Sequence, residues 1–413
     1  MGIILAIIAA TVLVSSIMYS PYVGLVALMV CEYTRLSTLI PELGAIHFTG
    51  IIAGATIAAF LKGMFSQKRI RIPSYAQNRA QLIYFLVMGM NVVFAYIKSY
   101  AFTTLLSNAR MITLYFIVIG LIDDREKFRK FLICFLLVNG FICVFGLYNF
   151  FVLGKYIDEL STGGFISDGN DFAAVMNAAI PFAFFLYQAE RSGKGKMFYG
   201  LLTVLFVLGV ICAFSRGGWV GLIGVFLFLI LLSSQRMKTI MVVLGAVVII
   251  MLAVPQGFKD EFNTISAESG TGLMRVQLWE AGFRMFLDHP VFGVGMSNFS
   301  SVHGRFYMQA NPYTYRWSTV HDIYVQLFTE LGLTGAVAFG FIIWYIFKDN
   351  WIVRRKLKTA GQTKSFPYAI SQGLMVGLLG YLISGIFLSV LYYPPLYIIA
   401  ALSVALRNTV ENT

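Results

Sequence analysis

Charged residues are scarce in this chain, at 12% of 413 positions, whereas hydrophobic residues make up 58%. So little charge cannot cover the surface of a water-soluble protein of this length. The sequence also contains no Gly-x-x-x-x-Gly-Lys phosphate loop, no His-Glu-x-x-His or Cys-x-x-Cys zinc pattern and no Asp-x-Asp pair. These absences argue against ATP as an energy source and against a tight metal site. We therefore predict a membrane protein that uses neither a metal nor a cofactor.

Long apolar runs follow one another along the chain, separated by short charged breaks. A bilayer core about 30 Å thick needs roughly 20 apolar residues, and a helix satisfies its own backbone hydrogen bonds in lipid. The runs are continuous rather than alternating, which disfavours a transmembrane barrel. We predict an all-α, polytopic transmembrane helical bundle of about twelve spans, with "MYSPY" as a candidate break in the first. The predicted spans are 3–31, 48–63, 80–97, 101–122, 131–152, 172–189, 197–213, 219–233, 239–254, 323–347, 366–388 and 395–407.

Basic residues determine the predicted orientation, because lysine and arginine are retained on the cytoplasmic side. Most of the 31 lie in alternate loops, including "DDREKFRK", "ERSGKGK" and "RRKLK". The net charge of +12 is thus a topology signal, and nothing further supports nucleic-acid binding. The pattern predicts an N-terminal bundle of about nine spans at 1–254, an outer-face loop with surface helices at 255–322, and C-terminal spans at 323–413.

One surface helix is predicted within that loop, over "TGLMRVQLWEAGFRMFLDHP". Leu273, Val276, Phe283 and Phe286 recur near a period of 3.6 residues, and Pro290 follows its end. We expect these four side chains to form its apolar face.

Arginines are the most informative polar residues on the outer face. Arg216, in "FSRGGW", falls in a short turn between two spans, where an arginine is costly unless it meets an anion, a water-filled cavity or the lipid headgroups. Arg275 lies on the surface helix, where pairing with a nearby glutamate is the alternative. Arg305 and Arg316 flank the same region, and Arg110 is a further candidate for lining one shared cavity. Converging guanidinium groups predict a phosphate-bearing substrate, because their donors fit phosphate oxygens and stay protonated.

His321 and Asp322 stand directly before an apolar run, at the predicted outer face. An imidazole with a pKa near 6.5 is suited to accept a proton from an attacking hydroxyl. The alternative is a structural histidine at a helix start, with Asp322 as the N-cap or a first-turn acid. We expect the remaining three histidines, His47, His289 and His303, to be structural.

Three separated stretches, "FSRGGWVGL", "MRVQLWEAGFRMFLDHPVFGVGMSNF" and "HDIYVQLFTELGLTGAVAFG", resemble the O-antigen ligase family in content and order. The resemblance implies an inverting, metal-independent glycosyltransferase of the bacterial inner membrane, with its active site facing the periplasm. It implies undecaprenyl pyrophosphate as the lipid-linked glycan donor and a glycolipid or glycan acceptor, such as lipid A core. In that family the pyrophosphate-binding arginines correspond to Arg216 and Arg275 and the essential histidine to His321. The next position is commonly Asn there and is Asp322 here.

These residues are also compatible with other functions, some of the same class and one of a different class. A polysaccharide polymerase needs the same arginine-lined pyrophosphate site and the same base as a ligase. "GGFISDGNDFAAVMNAAIPFAFFL" resembles a subgroup of O-glycosylation ligases associated with exosortase systems, whereas the long extension of some protein O-oligosaccharyltransferases is absent. A transporter of lipid-linked glycans would use the arginines but would not need His321 as a base, and the inverted repeats common in transporters are not visible.

Overall fold

The computed structural model describes residues 2–34, 36, 40–66, 70–153, 168–233, 235–241, 244–245, 270–307 and 318–412. Within those ranges the regular secondary structure is helical, which confirms the predicted all-α class. The helices are α1 (Gly2–Tyr19), α2 (Pro21–Thr34), α3 (Pro41–Ala45), α4 (Phe48–Leu61), α5 (Ala76–Phe94), α6 (Lys98–Leu121), α7 (Arg125–Leu153), α8 (Gly169–Ala189), α9 (Gly193–Cys212), α10 (Arg216–Leu232), α11 (Gly270–Asp288), α12 (Phe299–Val302), α13 (Ile323–Thr359), α14 (Phe366–Ser384) and α15 (Pro394–Glu411). Short π turns extend α4 and α12 (Lys62–Ser66 and His303–Tyr307), and a 3-10 turn, Gly385–Phe387, extends α14.

Seven of the described helices are long and apolar enough to cross a bilayer, so the chain is a multi-pass membrane protein. They are α4, α6, α7, α8, α9, α13 and α14, and the shorter helices α1, α2 and α10 are also apolar. The predicted number of twelve spans is not confirmed. The predicted span 3–31 is interrupted at Ser20, between α1 and α2, and most of 239–254 lies outside the described residues.

The helices α5 and α15 correspond to predicted spans but are less apolar than the seven. Gln77, Gln81 and Asn91 on α5 are all buried, and Arg407 near the end of α15 pairs with Asp349 of α13 at 2.8 Å. Polar groups are tolerated at membrane depth when they face protein rather than lipid. α15 is therefore buried in the bundle, whereas α5 directs these polar groups inward and exposes apolar side chains such as Ile83 and Leu86. Hydropathy averaged along the sequence is a weak guide to both helices.

A helix is present where the sequence predicts one before Pro290, as α11, but its buried face differs from the predicted apolar face. Leu278, Ala281 and Met285 are buried, whereas Val276 and Phe283 are 45% and 60% exposed. The helix is apolar on two opposite sides, one packed on the protein and one facing outward. Such a helix suits a position on a membrane surface, and the periodicity of the sequence did not show which side is packed.

Helix α13 is interrupted by Gly332, whose φ of 64° and ψ of −165° are not helical. The segment 290–295 fills the break with backbone hydrogen bonds. Leu333 N donates to Pro290 O at 2.8 Å, and Val294 N donates to Thr329 O at 2.8 Å. A broken helix in a membrane protein needs such replacement partners for its freed backbone groups. The first part of α13, which begins beside His321, is therefore anchored to the chain that follows α11.

The two ends of the bundle differ in charge. The basic stretches at the start of α7, between α8 and α9 and at the end of α13 share one end, where Arg129 lies 3.9 Å from Glu190. Because the turns at 190–192 and 213–215 are short, α8 and α10 both start at the opposite end. That end, which we call the cap end, contains the candidate site.

Candidate active site

The N-termini of α8, α10, α13 and α15 meet at the cap end. Asn170 Oδ1 of α8 accepts a hydrogen bond at 2.6 Å from Ser215 Oγ, the N-cap of α10. Tyr393, the N-cap of α15, donates its hydroxyl to Asp171 Oδ2 of α8 at 3.4 Å. The α13 terminus is joined to the loop before α15, since His321 N donates to Ser389 Oγ at 2.9 Å. Each helix N-terminus carries a partial positive charge, so this arrangement attracts anions even before charged side chains are considered.

Arg216 is the first residue of α10, and Arg275 approaches the same place from α11. Phe387 contacts both helices. The Arg275 Cζ atom is 5.9 Å from the centroid of the Phe387 ring, and Gly217 packs so tightly on Phe387 that an added Cβ would lie 2.7 Å from its Cβ. Arg275 and the start of α10, which carries Arg216, thus both contact Phe387, and the two predicted pyrophosphate-binding arginines are close enough to influence one another.

The two guanidinium groups influence one another. The pKa of Arg275 is lowered by burial and next by the positive charge of Arg216, while the carboxylate of Asp168 acts in the opposite sense. The alternative partner of Arg275 on α11, Glu280, lies five positions later and is bonded to Arg284 at 2.6 Å. An arginine pair whose charges repel one another is a favourable place for a multivalent anion.

His321 directly precedes α13 in a left-handed backbone conformation, with φ of 51°. That conformation is uncommon outside glycine and persists only where the surrounding structure holds it. The backbone bond to Ser389 is one such restraint, and the ring Nε2 lies 3.1 Å from Thr319 Oγ1. The pKa of His321 is lowered by burial first and by Arg275 second, with Asp168 opposing the decrease. The imidazole is therefore predominantly neutral at pH 7, the form that can accept a proton.

Asp322 is the N-cap of α13, as the sequence predicts. Its Oδ1 accepts hydrogen bonds from Tyr324 N at 2.7 Å and Val325 N at 2.8 Å. Burial raises the pKa of this carboxyl, and the two backbone donors lower it in part. Its role is to start the helix that follows His321.

The remaining predicted pocket residues do not join this cluster in the described contacts. Arg110 is exposed on α6 and donates to Ser107 Oγ at 3.2 Å, one turn earlier. Arg305 is exposed in the π turn after α12, and Arg316 lies outside the described residues. Gly217 and Gly218 have packing roles: Gly218 N is bonded to Ser215 Oγ at 2.9 Å, and an added Cβ on Gly218 would lie 2.4 Å from Ala173.

Three residues of the site were missed by the sequence reasoning. Asp168 caps α8 through a 2.8 Å bond from Asp171 N and acts on the charges of both His321 and Arg275. Its local signal was the stretch "SDGND" before an apolar run, which is typical of a helix start. Phe387 and Ser389 lie in "FLSVLYYPP", which has no recognisable pattern of chemistry.

The family model described as O-antigen ligase matches residues 201–340, about a third of the chain. The predicted resemblance is thus confirmed over a range that includes Arg216, Arg275 and His321. No curated protein matches the chain. Asp168, Phe387 and Ser389 lie outside the matched range, so the site combines that domain with the helices on either side of it.

Proposed function

We propose that this chain, which carries an O-antigen ligase domain, is an inverting glycosyltransferase that moves a glycan from undecaprenyl pyrophosphate to an acceptor hydroxyl. The family implies ligase- or polymerase-type glycosyl transfer between a lipid-linked donor and a glycan acceptor. The identity of the carrier, the mechanism without a metal and the periplasmic position of the cap end are parts of the proposal. The observation that carries it is the convergence of Arg216, Arg275 and His321 on one cluster of helix N-termini.

In the proposed reaction the acceptor oxygen attacks the anomeric carbon of the donor sugar. The bond from that carbon to the pyrophosphate oxygen breaks, and the leaving group departs with the electron pair. The acceptor's proton moves to the neutral imidazole of His321, which later releases it to water. Attack opposite to the leaving group inverts the configuration at the anomeric carbon.

The two arginines neutralise the charge that develops on the departing pyrophosphate. Phe387 packs on the start of α10 and beneath the Arg275 guanidinium, so the helices that carry both arginines need little reorganisation during the reaction. The four helix N-termini add donors and positive potential on the same side. The basic stretches at the opposite end of the bundle support an outward-facing cap end, since such stretches are retained in the cytoplasm.

A reconstituted transfer assay tests the proposal. Purified protein, lipid-pyrophosphate glycan and lipid A core are incubated, and the products are separated by size. A ligase yields acceptor carrying donor glycan with release of lipid pyrophosphate, whereas a polymerase yields a ladder of carrier-linked chains without lipid A. Movement of intact donor across vesicles without glycosidic-bond formation would identify a transporter and contradict the proposal.

A further inference from the structure

A second feature of interest lies at the basic end of the bundle, away from the cap end. A cavity of about 310 Å³ opens between α5 and α13, with Arg79 on one wall and Tyr345 on the other. Ala80 and Ala338 form a buried floor, and the exposed side chains of Ile83 and Phe341 border it. The cavity is therefore apolar along most of its length and cationic at one end.

Among the residues that the structure describes, none is a counter-ion for the cation in this cavity. In the described part of the chain Arg79 makes no hydrogen bond or ion pair, and its side chain is exposed. Two carboxylates at that end of the bundle, Asp349 and Glu411, are paired with Arg407 at 2.8 and 2.7 Å. An arginine that remains without a carboxylate in a membrane protein is best satisfied by an anion from the lipid phase.

A second positive charge contacts one of the residues that line the cavity. Lys348 Nζ lies 5.6 Å from the centroid of the Tyr345 ring, one turn further along α13. Tyr75, just before α5, bonds to Glu411 at 2.8 Å in the polar layer at the end of the bundle. Arg79 lies four residues beyond Tyr75, about 6 Å deeper at 1.5 Å per residue. The headgroup region of a leaflet is roughly 5–7 Å thick, so an arginine about one helical turn from the end of the bundle is within reach of a lipid phosphate.

We propose that the cavity between α5 and α13 binds one anionic phospholipid, with its phosphate at Arg79 and Lys348 and an acyl chain over Ile83 and Phe341. Basic pockets between membrane helices on the cytoplasmic side are suited to such headgroups. The continuous apolar border favours a lipid over a free phosphate ion, which would leave that surface unused. This site lies apart from the cap end, and it does not depend on the proposed reaction.

Thermal unfolding of the full chain in detergent tests the proposal. Phosphatidylglycerol is expected to raise the Tm of the wild type by at least about 3 °C, because it binds only the folded state. Phosphatidylcholine is expected to have a much smaller effect. Arg79→Gln should abolish the phosphatidylglycerol shift, whereas Arg355→Gln, which removes an exposed arginine of α13 outside the cavity, should retain it.

A second variant separates loss of the site from loss of folding. Ile83→Trp leaves every charge in place but narrows the cavity, and it should also diminish the phosphatidylglycerol shift. An undiminished shift in Arg79→Gln would overturn the proposal, as would equal shifts from the two lipids. An Arg79-dependent shift produced by inorganic phosphate alone would contradict the assignment to a lipid.

Discussion

The backbone N–H of His321 donates a 2.9 Å hydrogen bond to the hydroxyl of Ser389, 68 positions later in the chain. This bond joins the start of α13 to the loop before α15 and helps hold His321 in its left-handed conformation. The orientation of the proposed base therefore depends on a serine outside the matched O-antigen ligase range.

Replacing Ser389 by alanine should impair the chemical step rather than donor binding. Loss of one hydrogen bond of about 1 kcal/mol corresponds to roughly a fivefold decrease in kcat. The KM for the lipid-linked donor should stay within about twofold, and Ser389→Thr should restore most of the rate because it keeps the hydroxyl. Initial rates over a range of donor concentrations check this, and a raised KM with unchanged kcat would contradict the positioning role.

Alanine at Arg216 or at Arg275 should each lower transfer by about 10²-fold or more, on the scale of losing one preorganised charge donor. The matched control is Arg284→Ala on the same helix as Arg275, whose side chain is exposed and bonded to Glu280. That variant should stay within about twofold of wild type. If transfer decreased only a few-fold in both variants, Arg216 and Arg275 would have structural or lipid-anchoring roles rather than a role in the reaction.

The pH range in which transfer is active should depend on the charged groups around His321, because they shift its pKa. Its pKa is lowered, so the rate should fall only as pH drops below the ordinary histidine value of about 6.5, where the imidazole becomes protonated. Asp168→Asn removes the carboxylate that keeps this pKa from falling further, so the acid limb of kcat/KM should move to lower pH. Glu280→Gln, which removes an exposed carboxylate bonded to Arg284, should leave the limb in place. A limb that moves to higher pH in Asp168→Asn would contradict the arrangement.

The break in α13 should be sensitive to substitution at Gly293. This residue has φ of +68°, and an added Cβ would lie 2.5 Å from Thr329 O, which belongs to the backbone beside the break. Gly293→Ala should destabilise the protein by more than about 2 kcal/mol. Gly340→Ala, within α13 and with nothing near the added Cβ, should be close to neutral. The Tm values of the two variants in detergent provide the comparison, and equal values would show that the segment 290–295 is not what holds the break.

Local patterns predicted much of this architecture. Apolar runs identified the long helices, the residues before α13 identified the Asp322 cap, and arginine and histidine chemistry identified Arg216, Arg275 and His321. These features depend on residues close together in the chain. The site itself is not local, because α8, α10, α11, α13 and α15 contribute to it.

The features that the sequence did not predict depend on contacts between residues that are brought together only by the fold. Ser389 and Phe387 act through contacts with residues distant in sequence, and Asp168 acts through its charge on groups that only the fold brings near. The break at Gly332 could not be read from an apolar run that continues across it. The packed face of α11 depended on which of two apolar sides meets the bundle.

The role of His321 as the general base is tested most directly by the transfer rate of His321→Gln, measured together with donor binding. We expect a decrease of roughly 10²-fold or more in product formation, the usual contribution of a general base. Binding of lipid pyrophosphate, measured as a shift in Tm, should remain close to wild type because Arg216 and Arg275 are intact. Transfer by His321→Gln at the wild-type rate would show that His321 is not the base.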